Sequence, residues 1–171
     1  VANLFAMNAE PNVQRARDDC APIHAATKCG HVSCVRALID GRAEVDLRML
    51  GGTTALWLAC AYLEPEVARA LLERGADPKA TSDTKQTPLF AAANYGSAEA
   101  LRALLNAGSD VNGEEQGGCS PLVAAVRASH VECVRELLKH GANASTTFQG
   151  MTALAHARID GTRAIVALLE A

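Results

Sequence analysis

The feature that most constrains this chain is a period. Ala21-Pro22-Ile23-His24-Ala25-Ala26 recurs as Thr54-Ala55-Leu56-Trp57-Leu58-Ala59, then as Thr87-Pro88-Leu89-Phe90-Ala91-Ala92. It returns as Ser120-Pro121-Leu122-Val123-Ala124-Ala125 and as Thr152-Ala153-Leu154-Ala155-His156-Ala157, with starts 33, 33, 33 and 32 residues apart. A second block keeps step: Val35-Arg36-Ala37-Leu38-Ile39, Ala68-Arg69-Ala70-Leu71-Leu72, Leu101-Arg102-Ala103-Leu104-Leu105, Val134-Arg135-Glu136-Leu137-Leu138 and Val166-Ala167-Leu168-Leu169. A third follows it as Arg42-Ala43-Glu44-Val45, Gly75-Ala76-Asp77-Pro78, Gly108-Ser109-Asp110-Val111 and Gly141-Ala142-Asn143-Ala144. Self-similarity at a fixed interval of this length is the mark of a stacked array, in which each unit buries its apolar face only against its neighbours.

Within one unit the chemistry reads as two short helices and a turn. Thr54, Thr87, Ser120 and Thr152 stand where a hydroxyl accepts orphan amide protons at a helix start. Proline at the following position in most copies has a preset φ and no amide to leave unpaired. Apolar residues then recur at helical spacing, and a glycine in most copies ends the first helix in a left-handed conformation. A second amphipathic helix follows and closes in the Gly-Ala-Asp turn. Helices under about 12–15 residues are marginal alone, so stacking must supply the stability. Ala25, Ala26, Ala59, Ala92 and Ala125 allow close approach, which explains why only 4% of residues are aromatic against 49% hydrophobic.

A unit of 33 residues with Thr-Pro-Leu-His-like openings, the Gly30-His31 pair (glycine alone at Gly96 and Gly161) and Leu-Leu-x-x-Gly-Ala-Asp endings resembles the ankyrin repeat. The resemblance covers nearly the whole chain. It implies an all-α solenoid of stacked helix-turn-helix units joined by hairpin loops, one array over 1–171 with repeats starting near 21, 54, 87, 120 and 152. Val1-Ala2-Asn3-Leu4-Phe5 matches Val35 to Ile39, and Glu10-Pro11-Asn12 matches Glu44-Val45-Asp46. Residues 1–20 therefore read as the remnant of a preceding repeat. The chain also stops at Leu168-Leu169-Glu170-Ala171, before any Gly-Ala-Asp turn, so a segment of a longer protein is expected. Repeat two departs from the pattern: Leu63 stands where glycine belongs, before Glu64-Pro65, and the turn there is expected to be rebuilt.

Several function classes fall away. Sixteen Lys and Arg oppose nineteen Asp and Glu, a net charge of −3, which gives no broad attraction to nucleic acid or anionic lipid. No apolar run approaches the roughly 18–20 residues of a membrane span. The cysteines (20, 29, 34, 60, 119 and 133) form no CxxC pair, so no zinc site and no cofactor is expected. Cys20 and Cys119, and Cys34 and Cys133, are equivalent positions three layers apart. At about 8–10 Å per layer they lie far beyond disulfide reach. Reduced thiols point to the cytoplasm or nucleus. The resemblance gives His24 a hydrogen-bonding role between turns. His31 and His130 open second helices, and His140 sits beside a terminal glycine, a favourable place for a cation. His156 has no such explanation. There is no HExxH, no G-x-S-x-G and no phosphate loop. Gly51-Gly52 and Gly117-Gly118 read as hairpin residues, and Asp18-Asp19 and Glu114-Glu115 as solvated tips. The chain is not expected to be an enzyme.

In the ankyrin family, variable positions on the concave surface bind partners. Carried over, these are Lys28-Cys29, Ala61-Tyr62, Asn94-Tyr95 and Arg127-Ala128 on first helices. On hairpins they are Arg17, Asp18, Met49, Leu50, Asp83, Thr84, Gln116, Phe148, Gln149 and Met151. Both tyrosines of the chain fall in this set, 33 residues apart, and rings with a polar tip are enriched at interface hot spots. Trp57 is expected to fill space between inner helices, and Met49 or Phe148 either projects or folds back onto a neighbouring tip. The expected function is a non-catalytic, monomeric interaction module that takes a peptide or folded protein in its groove. Cys34-Val35, Cys133-Val134 and Thr87 to Phe90 also resemble ankyrin and SOCS-box proteins, so a ubiquitin-ligase substrate adaptor is the alternative. Asn112 (with Asp110 and Leu104) and Asn12 (with Glu10 and Leu4) resemble sites modified by an asparaginyl hydroxylase.

Overall fold

The computed structural model describes residues 10–113 and 118–171. The matching segment at Val1–Phe5, and Glu114, Glu115, Gln116 and Gly117, lie outside the described residues. Within them helices run in pairs: α1 (Pro22–Lys28) with α2 (Val32–Asp40), α3 (Ala55–Ala61) with α4 (Pro65–Glu73), α5 (Pro88–Tyr95) with α6 (Ala98–Asn106). α7 (Pro121–Arg127) follows with α8 (Val131–Lys139), and α9 (Ala153–Ile159) with α10 (Arg163–Leu169). First helices form one row, α1-α3-α5-α7-α9, and second helices another, α2-α4-α6-α8-α10, each touching its successor. This is the all-α solenoid of stacked helix-turn-helix units that the resemblance implies. One hairpin closes further than the helical description implies: β1 (Thr147–Phe148) pairs antiparallel with β2 (Met151–Thr152).

The caps form as their residue types dictate. Thr54 Oγ1 accepts from Trp57 N–H at 3.3 Å, Thr87 from Phe90 at 3.1 Å, Ser120 from Val123 at 3.3 Å and Thr152 from Ala155 at 3.2 Å. Ala21 has no hydroxyl to offer. There the imidazole of His24 reaches back, its Nδ1 accepting the Ala21 N–H at 3.0 Å. The core is a line of leucines in successive layers, Leu56, Leu71, Leu89, Leu101, Leu104, Leu122 and Leu137 among them, all fully buried. Each contributes roughly 1.5–3 kcal/mol relative to exposure. Ala59, Ala92 and Ala125 are buried between layers, whereas Ala25 is exposed on the first described layer.

The turn of repeat two is not rebuilt. Leu63 adopts φ +61°, the left-handed conformation of Gly30 at φ +67° and Gly96 at φ +86°. The hydrogen bonds are also kept: Glu64 N–H donates to Ala59 O at 2.8 Å as His31 N–H does to Ala26 O at 3.0 Å. Neighbouring layers determine the path of the chain, and the leucine bends to it. A left-handed non-glycine costs about 1–2 kcal/mol, and Leu63, 53% exposed, recovers little by burial. Leu63→Gly is therefore expected to raise stability by about 1 kcal/mol, the conformational relief exceeding the lost side chain. Urea denaturation showing an unchanged or lower midpoint would contradict this. Ser129, at φ +60°, occupies the same position in repeat four.

These left-handed residues also form a latch between layers. The residue following the turn in one repeat lies over the turn of the repeat before it. A Cβ at Gly30 would meet the Glu64 carboxylate at 2.5 Å, and one at Gly96 would meet the His130 ring at 2.6 Å. His130 Nε2 donates to the Asn94 carbonyl at 3.2 Å, and the hydroxyls of Ser129 and Thr162 pair at 3.1 Å. His31 and His130 thus stand where second helices begin, as expected. His140 donates from Nδ1 to the Glu136 carbonyl at 2.8 Å at the end of α8.

Candidate recognition groove

The hairpins and the ends of the first helices carry the residues singled out by sequence. Consecutive hairpins are tied by main-chain bonds, Leu50 N–H to Asp18 O at 3.1 Å and Asp83 N–H to Gly51 O at 3.0 Å. Gln14 Nε2 adds a bond to Arg48 O at 2.7 Å, and Arg48 donates to Thr81 O. Gly51 and Gly52, at φ +85° and +71°, supply the conformations this ladder needs. Asp18 is not a free tip, because its carboxylate pairs with Arg15 at 2.5 Å and accepts the Cys20 N–H at 3.2 Å. Leu50 stays 64% exposed; Asp83, Thr84, Arg17 and Gln149 are exposed, and Met49 and Met151 half-buried. Gln116 lies outside the described residues.

On the first helices, Tyr62 caps α3 and Tyr95 ends α5, and they are 52% and 46% exposed. The Tyr95 ring meets Trp57 of the preceding layer edge-on, centroids 6.3 Å apart and planes at 82°. Trp57 is half-buried and its indole N–H is covered without a hydrogen-bond partner. Lys28 and Asn94 are half-buried, and Cys29 and Arg127 exposed. Between α5 and α7 lies a cleft of about 230 Å³ lined by Phe90, Asn94, Cys119, Ala124, Arg127 and Ala128.

Phe148 folds back from its hairpin. Its ring takes the Arg127 guanidinium at 5.1 Å and lies 6.3 Å from the His156 ring. His156, unexplained by sequence, is buried on α9 with Nε2 3.2 Å from the Phe148 carbonyl, so it anchors that hairpin. Phe90, Cys119 and Ala124 line the cleft without belonging to the positions that the resemblance supplies. The period held a signal for Phe90, which occupies the position of His24 and Trp57.

Asn112 and Asn12 are engaged in the same way. Asn112 Oδ1 accepts the Asn143 N–H at 2.8 Å while Nδ2 donates to Gly141 O at 3.3 Å. Asn12 does the same to Glu44 N–H at 2.8 Å and Arg42 O at 3.4 Å. Each stitches one turn to the next.

All six cysteines are free. Burial pushes the Cys133 thiol up to about 12, with Glu132 and Glu136 adding to the effect, and burial raises Cys60 further. Neither holds a useful thiolate near neutral pH. Among the described residues no group of three or more His, Cys, Asp or Glu is placed to hold a metal, and no helix is long and apolar enough to cross a membrane.

A row of helix pairs with hairpins between them is the architecture of a repeat scaffold for protein interaction. The family profile for ankyrin repeats (three copies) matches residues 1–82 and 89–170, and the chain belongs to that family. It is 46% identical over 78 residues to the ankyrin repeat and KH domain-containing protein mask-1 of Caenorhabditis elegans, covering 46% of this chain and 3% of that protein. It is 38% identical over 63 residues to protein phosphatase 1 regulatory subunit 27 of Homo sapiens, covering 37% of this chain and 41% of that protein. It is likewise 38% identical over 58 residues to ankyrin repeat and SOCS box protein 11 of Danio rerio, covering 34% and 20%. The chain thus spans less than half the length of each of these relatives.

Proposed function

We propose that the array binds a peptide or a folded protein across the ends of its first helices and its hairpins, as a monomer in the cytoplasm or nucleus. The observation that carries this reading is the pair Tyr62 and Tyr95. They are equivalent residues of adjacent layers, and both rings are about half exposed. Tyr95 is steadied by Trp57, which lowers the entropy lost on contact. Lys28, Asn94, Arg127, Met49, Leu50, Asp83, Phe148, Gln149 and Met151 complete the surface.

Cross-linking from cells with this chain as bait supplies the partner, and titration of that partner supplies the test. Replacing Tyr62 and Tyr95 together by Ala is expected to weaken binding at least tenfold, about 1.4 kcal/mol or more, as for paired hot spots. The unfolding midpoint is expected to stay within a few degrees, because neither ring is buried in the core. An unchanged dissociation constant would refute the reading. Similarity to ankyrin repeat and SOCS box protein 11 supports a second reading, substrate recognition for a ubiquitin ligase. A Leu- and Cys-rich box downstream in the full reading frame would favour it. Hydroxylation of Asn112 or Asn12 would require a hydroxylase to open the bonds each side chain makes to the next turn. A gain of one oxygen on those peptides would report it.

A further inference from the structure

We infer that the cleft between α5 and α7 is a carboxylate subsite, and that the partner of the groove presents an Asp or Glu side chain to Arg127. This rests on the groove reading above and specifies its ligand. The observation that carries it is a guanidinium held against an aromatic ring, where several other arginines are held by carboxylates. On the second helices Arg36 pairs with Glu73 at 2.8 Å, Arg102 with Glu136 at 3.5 Å and Arg135 with Glu132 at 3.4 Å. Arg69 pairs with Glu66 at 3.1 Å, and Arg74 with Asp40. Arg127 pairs with no carboxylate among the described residues. Its guanidinium instead lies over the Phe148 ring at 5.1 Å.

Stacking of this kind holds the guanidinium through its face and leaves its edge donors open. A guanidinium carries five N–H donors, a fork that matches a carboxylate with two parallel bonds. Asn94 lines the same cleft and its side-chain amide makes no hydrogen bond within the described residues, while its carbonyl is taken by His130. Phe90, Ala124 and Ala128 provide an apolar wall for the methylenes of the acidic side chain. A preset cation, a free amide donor and an apolar wall therefore converge in a cleft of about 230 Å³. Of the common side chains, only Asp and Glu complement all three.

The test selects binders to the whole chain from a random dodecapeptide library. Enriched peptides are then resynthesised with each acid replaced by its amide. The expected result is enrichment of an acid at one fixed position. Its replacement by the amide is expected to cost about tenfold in affinity on the natural chain, the scale of a charge-assisted bidentate pair. On Arg127→Gln the same replacement is expected to cost no more than about twofold, because the charge it met is gone. Arg127→Lys keeps the charge without the fork or the stack and is expected to retain only part of the preference. Thermal unfolding of each variant checks that the array is intact. Enrichment without a preferred acid, or an equal penalty on Arg127→Gln, overturns the inference. If such peptides still lose binding on the Tyr62→Ala, Tyr95→Ala double variant, the groove reading survives that loss. A phosphoserine peptide binding far tighter than its Glu counterpart would reassign the subsite to phosphate. A library yielding no binder at all would overturn subsite and peptide groove together.

Discussion

Replacing Gly96 by Ala is expected to destabilise the array by about 2–4 kcal/mol, among the largest effects of any single methyl addition here. Two penalties combine. Gly96 sits at φ +86°, where a side chain costs about 1–2 kcal/mol. The new Cβ would also lie 2.6 Å from the His130 ring, which is held by its bond to Asn94 O and cannot swing away without losing it. Gly108 separates the two penalties. It has the same conformation, φ +87°, but no atom within 4 Å of an added Cβ. Gly108→Ala should therefore cost only the conformational part, about 1–2 kcal/mol. Urea denaturation of both variants decides the matter. Equal losses would show that the His130 latch contributes nothing, and adding His130→Ala to Gly96→Ala should restore part of the difference.

Acidification is expected to weaken the first repeat through His24. Its ring is inaccessible to solvent, Nδ1 accepts the Ala21 N–H, and Nε2 donates to the Leu47 carbonyl at 2.8 Å. This arrangement requires the neutral imidazole. Burial is the main cause that holds its pKa below the usual histidine range; the Leu47 bond opposes the shift and Lys28 adds to it. The unfolded chain therefore binds a proton first as pH falls. Stability is full above the unfolded value near pH 6.5 and declines as pH drops through the folded value. His24→Ala should remove this pH dependence and cost about 2–4 kcal/mol at neutral pH, because a buried N–H and a buried C=O lose their partner. Midpoints measured between pH 7.5 and 5 on both chains check the sign. A natural chain whose stability is flat over that range, or parallel curves for the two chains, would contradict it.

Most of the fold was legible, and for one reason. The units meet only their neighbours, so a residue type repeated every 33 positions reports the same local environment each time. Thr54, Thr87, Ser120 and Thr152 could be recognised as caps on that basis, as could the glycines that end first helices. Exceptions to the period were harder to read. Leu63 looked like a broken turn, but the layers on either side impose the left-handed path and the leucine accepts the strain. His156 looked out of place, yet it holds the Phe148 carbonyl of its own hairpin.

The candidate groove divides along the same line. Its positions follow from the repeat, since Tyr62, Tyr95, Asn94 and Arg127 lie at corresponding places in successive units. Their states do not. Whether Phe148 projects or folds under Arg127, whether Asp18 is free or paired with Arg15, and whether Asn112 is loose or stitched to the next turn depend on partners 21, three and 31 residues away. By itself the order of amino acids determined the layers, their caps and their stacking, because short helices with one apolar face have a single way to bury it. Only the tertiary structure decided which long side chains are engaged and which stay available, because that choice depends on distances of a few ångströms between neighbouring layers.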